Sequence, residues 1–131
     1  MTLLEECIEA LGNDICIFNG DEKLAIEDKF YNMVPLTTWG RINWDKFKNI
    51  VEVKGLEDLN LIEGNKKYYI IWGDIEMPVV KSELVNILNN LDDVIAVSFD
   101  TWLLAEDESM VIEFYHESDV TIGMLADLIY L

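Results

Sequence analysis

The chain has 131 residues, 51% of them hydrophobic, and 26 acids against 9 bases give it a formal net charge of −17. That length fits a single domain able to remove roughly two-thirds of its unfolded surface from water without disulfide or metal staples. The apolar content argues against disorder, and the charge argues against nucleic acid or an anionic membrane as a partner, since phosphate contacts need clustered Lys and Arg.

The charge is unevenly placed. From Ser82 onward there are eleven acids and no Lys or Arg, so all nine bases lie in the first 81 residues. Two readings fit: the acids keep a small protein dispersed, or they complement a basic partner. Cys7 and Cys16 are the only cysteines, and no apolar run approaches a membrane span. The opening residues lack the basic segment of a secretory signal and carry acids within their apolar run. The expectation is a cytoplasmic protein with both thiols reduced.

In chain order, Thr2 and Glu5 have capping-box spacing, and Leu4, Cys7, Ile8 and Leu11 recur at helical intervals before Gly12. They predict a helix over 3–11. Residues 15–18 read as a strand or buried connector. Asn19-Gly20 then permits a hairpin into a second strand, or a helix capped by Asp21 with Ile26, Phe30 and Met33 on one face. The helix, ending before Pro35, is the preferred reading. Residues 35–55 read as a loop leading into a short strand, and 56–65 as a short helical turn followed by a tight turn. The aromatic and β-branched run over 66–74 predicts a strand.

Pro78 suits the first turn of a helix, and Leu84, Ile87, Leu88 and Leu91 share one helical face, predicting a helix over 76–93. Strands over 94–104, 109–116 and 120–125 then form an antiparallel meander, with the last six residues a strand or helical turn. The expected fold is α+β: one domain over 1–131, an antiparallel meander with about three helices packed on one face.

Period-two alternation sorts the side chains of the meander. Ile95, Val97, Phe99, Thr101 and Leu103 form one core-facing row; Met110, Ile112, Phe114, Val120 and Ile122 continue it. Pairing these rows sets Trp102 opposite Glu113 and Asp100 opposite Tyr115. The other face then combines aromatics with carboxylates, beside an acidic turn at Glu106, Asp107 and Glu108. Such a face suits a protein partner, with aromatic anchors and matched charge. Alternatively, the 35–65 segment covers it and Lys46, Lys48 and Lys54 neutralise it.

Nothing in the sequence assembles a catalytic or metal site. His116 is the single histidine, no nucleophile elbow or phosphate-cradling motif occurs, and Cys7, Cys16 and His116 match no zinc spacing. The 106–108 turn lacks the alternating acids and central Gly of a calcium loop. No catalytic residue, metal or cofactor is predicted. A small-ligand binder or unrecognised enzyme is a further reading, which a deep pocket lined by Trp39, Trp44 and Trp72 with convergent polar groups would favour.

Residues 34–47, "VPLTTWGRINWDKF", and 97–123, "VSFDTWLLAEDESMVIEFYHESDVTIG", resemble segments of small bacterial immunity proteins from contact-dependent growth inhibition and related polymorphic toxin systems. The resemblance implies a non-enzymatic cytoplasmic protein that binds the C-terminal toxin domain of a cognate effector, often a nuclease with a basic surface. Asp100, Trp102, Glu106, Asp107, Glu108, Glu113 and Tyr115 are the candidate partner-binding residues. The alternative is another acidic protein-binding adaptor or regulatory module.

Overall fold

The computed structural model describes residues 1–53, 65–115 and 119–129. The expectations for 54–64, Lys54 among them, and for His116 at the end of its strand, fall outside them.

The elements are α1 (Leu3–Leu11), β1 (Cys16–Phe18), α2 (Gly20–Met33), β2 (Ile50–Val53), β3 (Lys67–Trp72), β4 (Val79–Glu83), α3 (Leu84–Asn89), α4 (Leu91–Ile95), β5 (Thr101–Ala105), β6 (Met110–Tyr115) and β7 (Asp119–Met124). The strands form one antiparallel sheet in the order β1-β4-β3-β5-β6-β7-β2. The fold is α+β, as the sequence predicts.

Local chemistry sets the ends of the helices. In α1 the Thr2 amide donates to Glu5 Oε1 (3.0 Å) and the Glu5 amide to Thr2 Oγ1 (3.1 Å), completing the capping box. Asn19-Gly20 does turn the chain, with Gly20 at φ +57, but into a helix rather than a hairpin. Asn19, not Asp21, occupies the N-cap; Asp21 and Glu22 fall in the first turn, where acids oppose the helix dipole favourably.

Two expectations are corrected. Residues 79–83 form a strand between β1 and β3, not the start of a helix. Val79 and Val80 are both buried but belong to cores on opposite sides of the sheet, the alternation of a strand. Residues 91–95 are helical, and β5 begins only at Thr101. Leu84, Ile87, Leu91 and Val94 continue one buried stripe across α3 and α4, and that helical period prevails over the strand reading. Phe99, expected in the core, is fully exposed as a result.

Three helices do pack on one face. Cys7, Leu11, Leu84, Ile87, Leu91 and Val94 of α1, α3 and α4 share a core with Tyr68, Ile70, Trp72, Leu103, Ile112 and Phe114. On the other face, α2 and the segment after it bring Phe30, Val34, Ile42 and Phe47 against Ile71, Trp102, Leu104 and Val111. The central strands are therefore covered on both sides, and every residue of β5 is buried.

Candidate functional site

The β5–β6 register sets Trp102 opposite Glu113, as the alternation predicts, while Asp100 lies beyond the paired residues. The face they define is nonetheless covered. Trp102 and Glu113 are each 3% exposed. Glu113 accepts hydrogen bonds from Arg41 Nη2 (2.9 Å), the Ile42 amide (2.8 Å), Trp44 Nε1 (3.1 Å) and Trp102 Nε1 (3.0 Å). Four donors and one ion pair satisfy a carboxylate that burial alone would make very costly. Trp102 and Glu113 are thus not surface residues, which corrects the exposed-face expectation. The neutralising cation is Arg41; Lys46 and Lys48 make no ion pair among the described residues.

Gly123 lets the cover sit close. A Cβ there would come within 2.6 Å of the Trp44 ring and 2.9 Å of the Phe47 ring. Both aromatics therefore need a residue without a side chain on the neighbouring strand.

The acidic turn is also internally matched. Glu106 pairs with Lys81 (2.6 Å), Asp107 with Lys66 (2.9 Å) and Glu108 with Lys29 (2.8 Å). Hydrogen bonds from Ser109 and Lys66 hold the Asp107 carboxyl down to about 2, and the bond to Glu106 raises Lys81 above the ordinary ammonium value. A run without its own Lys or Arg thus acquires three cations from α2, from beside β3 and from β4.

The opposite end of the sheet differs. Here β3 ends, β5 begins and β6 ends, gathering the loops at 73–78 and 96–100. Asp100 is half-buried; its carbonyl accepts from the Gly73 amide (3.3 Å), and its carboxylate has no ion-pair partner among the described residues. Burial pushes that carboxyl up, the charge of Glu113 adds to the rise, and Arg41 opposes it. The Tyr31 hydroxyl is raised by burial, with smaller effects of Glu27 and Asp100. Arg41 places its guanidinium carbon 3.5 Å from the centre of the Tyr115 ring, a stacked cation–π contact. Lys23, buried at this end, donates to the Ile75 carbonyl (2.6 Å) and faces Glu27.

Beside this cluster opens a cleft of about 1080 Å³ whose lining includes Leu3, Asp74, Asp92, Ile95, Phe99 and Thr101. Phe99 is fully exposed, Ile75, next to Asp74 in the chain, is 88% exposed, and Trp39, two residues before Arg41, is 77% exposed. The structure thus brings Asp100 and Tyr115 to one end of the sheet, puts Glu106, Asp107 and Glu108 at the other, and buries Trp102 and Glu113 between them. Sequence reasoning missed Phe99, Ile75 and Trp39. A usable signal for Phe99 was its position just past the helical stripe ending at Val94, between Ser98 and Asp100.

No cluster of three or more His, Cys, Asp or Glu suited to a metal occurs among the described residues. Trp39, Trp44 and Trp72 share no pocket: Trp39 is exposed, Trp44 packs on Phe47, and Trp72 lies in the helix-side core with Nε1 donating to the Val94 carbonyl (3.0 Å). Cys7 and Cys16 are both free thiols; burial, then Asp93, pushes Cys7 up to about 11.

The family model for CdiI immunity protein EcoliA0-like matches residues 1–123. The chain belongs to this family. A comparison with curated proteins finds no match. Immunity proteins of contact-dependent growth inhibition act within the cell, are generally non-catalytic, and each implies a cognate toxin. No described helix is long and apolar enough to cross a membrane.

Proposed function

We propose that this immunity protein neutralises its toxin in the cytoplasm by binding alone, through an acidic surface that meets a basic toxin domain. A nuclease is the favoured class, because a phosphate-binding surface is the cationic surface that an array of carboxylates can imitate. One observation carries this reading. At the sheet end around Asp100, the carboxylates Asp74, Asp92, Asp100 and Asp119 have no ion-pair partner among the described residues, whereas the opposite turn's acids each have one.

Asp100 and Tyr115 meet the toxin directly in this reading. Glu106, Asp107 and Glu108 add to the long-range field, while Trp102 and Glu113 act from beneath by holding Arg41 against Tyr115. Charge of this kind steers association more than it deepens the final complex.

The test is stopped-flow association with the inactivated toxin domain encoded next to this chain, across a salt series. The expected result is an association rate that falls steeply as salt rises. No binding, or binding indifferent to salt, contradicts the proposal.

A further inference from the structure

Resting on the toxin-binding reading, we propose that the cleft between the 73–76 loop, α4 and the start of β5 seats an arginine-bearing loop of the toxin domain. In this seat Phe99 closes over the arginine's aliphatic stem.

Three features of the cleft fit that occupant. Its walls include Leu3, Ile95 and Phe114, apolar surface suited to a methylene stem. Asp74 and Asp92 line the same cleft, and neither forms an ion pair among the described residues. Its lining also includes Thr101, which is 1% exposed and whose Oγ1 has no hydrogen-bond partner among the described residues. A buried hydroxyl without a partner is uncommon, and an entering N–H group would supply one. Arginine matches this combination better than lysine. It stays charged, is more weakly hydrated than an ammonium, and presents five donors that two carboxylates and a hydroxyl can share.

Phe99 gives the strongest indication of a macromolecular occupant. A single exposed apolar residue is ordinary, but here Phe99 is fully exposed and Leu3 is 53% exposed in the lining of one acid-bearing cleft. Aromatic side chains are enriched among the few interface residues that dominate affinity, and a guanidinium stacks readily on an aromatic face.

The experiment measures binding of the inactivated neighbouring toxin domain to the intact chain and its variants, with the unfolding midpoint of each variant recorded alongside. Phe99→Ala is expected to weaken binding by roughly 30-fold, the scale of an interface anchor, and to leave the midpoint unchanged. Asp74→Asn with Asp92→Asn is expected to weaken binding by about 10-fold, as for charge pairs at an interface, and to reduce its salt dependence. Thr101→Val is expected to hold or raise the midpoint while weakening binding, a split that a purely structural hydroxyl would not give. If the wild type binds and all three variants match it, the cleft is not the seat, while toxin neutralisation still stands. If the wild type does not bind, the functional reading itself fails. If the free chain dimerises and Phe99→Ala abolishes the dimer, the cleft serves a second copy and the proposal is overturned.

Discussion

The two ends of the sheet carry the same kind of residue and treat it in opposite ways. At the 105–109 turn, three consecutive acids are each met by a lysine from elsewhere in the chain. At the end where β3 and β5 meet, Asp74, Asp92 and Asp100 have no ion pair, and Phe99 and Ile75 stand exposed beside them. The cations nearest to that end, Arg41 and Lys23, are engaged by Glu113, Tyr115, Glu27 and the Ile75 carbonyl. Antiparallel pairing brings Lys66 and Lys81 alongside the 105–109 turn, so a cation-poor stretch of sequence need not be a cation-poor region of space. Where charge remains unmatched after folding is the better guide to a partner.

The largest expected effect probes the covered face between those ends. Glu113→Ala removes the acceptor of four donors and strands Arg41, so urea unfolding should show a loss of about 3–5 kcal/mol, the cost of breaking a buried pair. A loss under about 1 kcal/mol would mean that the cover does not depend on this carboxylate. Gly123→Ala drives a methyl into Trp44 and Phe47 and should cost about 1–3 kcal/mol by the same measurement.

Smaller effects separate the two ends by pH. Asp100 binds its proton more tightly in the folded chain than in the unfolded one, so its contribution lowers stability as pH rises above the ordinary aspartate value of 3.8. Asp100→Asn should therefore raise the unfolding midpoint at pH 7 and flatten the pH–stability curve above that value, while weakening toxin binding. Asp107 behaves in the opposite sense. Its depressed value means that its stabilisation is present above 3.8 and is lost as pH falls towards about 2. Because Asp107 is largely exposed, Asp107→Asn should cost no more than about 0.5 kcal/mol at pH 7 and change toxin affinity far less than Asp100→Asn, through a small loss of association rate. If the two substitutions shift the pH–stability curve in the same direction, the contrast between the ends fails.

Much of the scaffold was legible in the residues. The Thr2–Glu5 spacing fixed the start of α1, and alternation in β6 gave the Trp102–Glu113 register. Alternation misled where the sheet is buried on both faces. The run Trp102-Leu103-Leu104-Ala105 is nearly continuous apolar sequence, which marks a strand with two cores; Glu113 therefore read as a solvent face when it is a buried anchor for Arg41 and three other donors. Val79 and Val80 read as the start of a helix because Pro78 suits a first turn and the helical stripe from Leu84 follows within four residues. The strand period, carried back through α4, puts Phe99 in the core row where the structure exposes it. The candidate site was hardest to read, since its loops meet only when β3, β5 and β6 pair, and no local pattern encodes that meeting.

Hydrogen exchange on the free chain and on its complex with the inactivated toxin domain compares the two ends in one measurement. The expected footprint is slowed exchange at residues 73–76 and 96–101, with the amides of the 105–109 turn unchanged. Protection confined to 105–109, or lying away from both loops, would contradict docking at the cation-poor end.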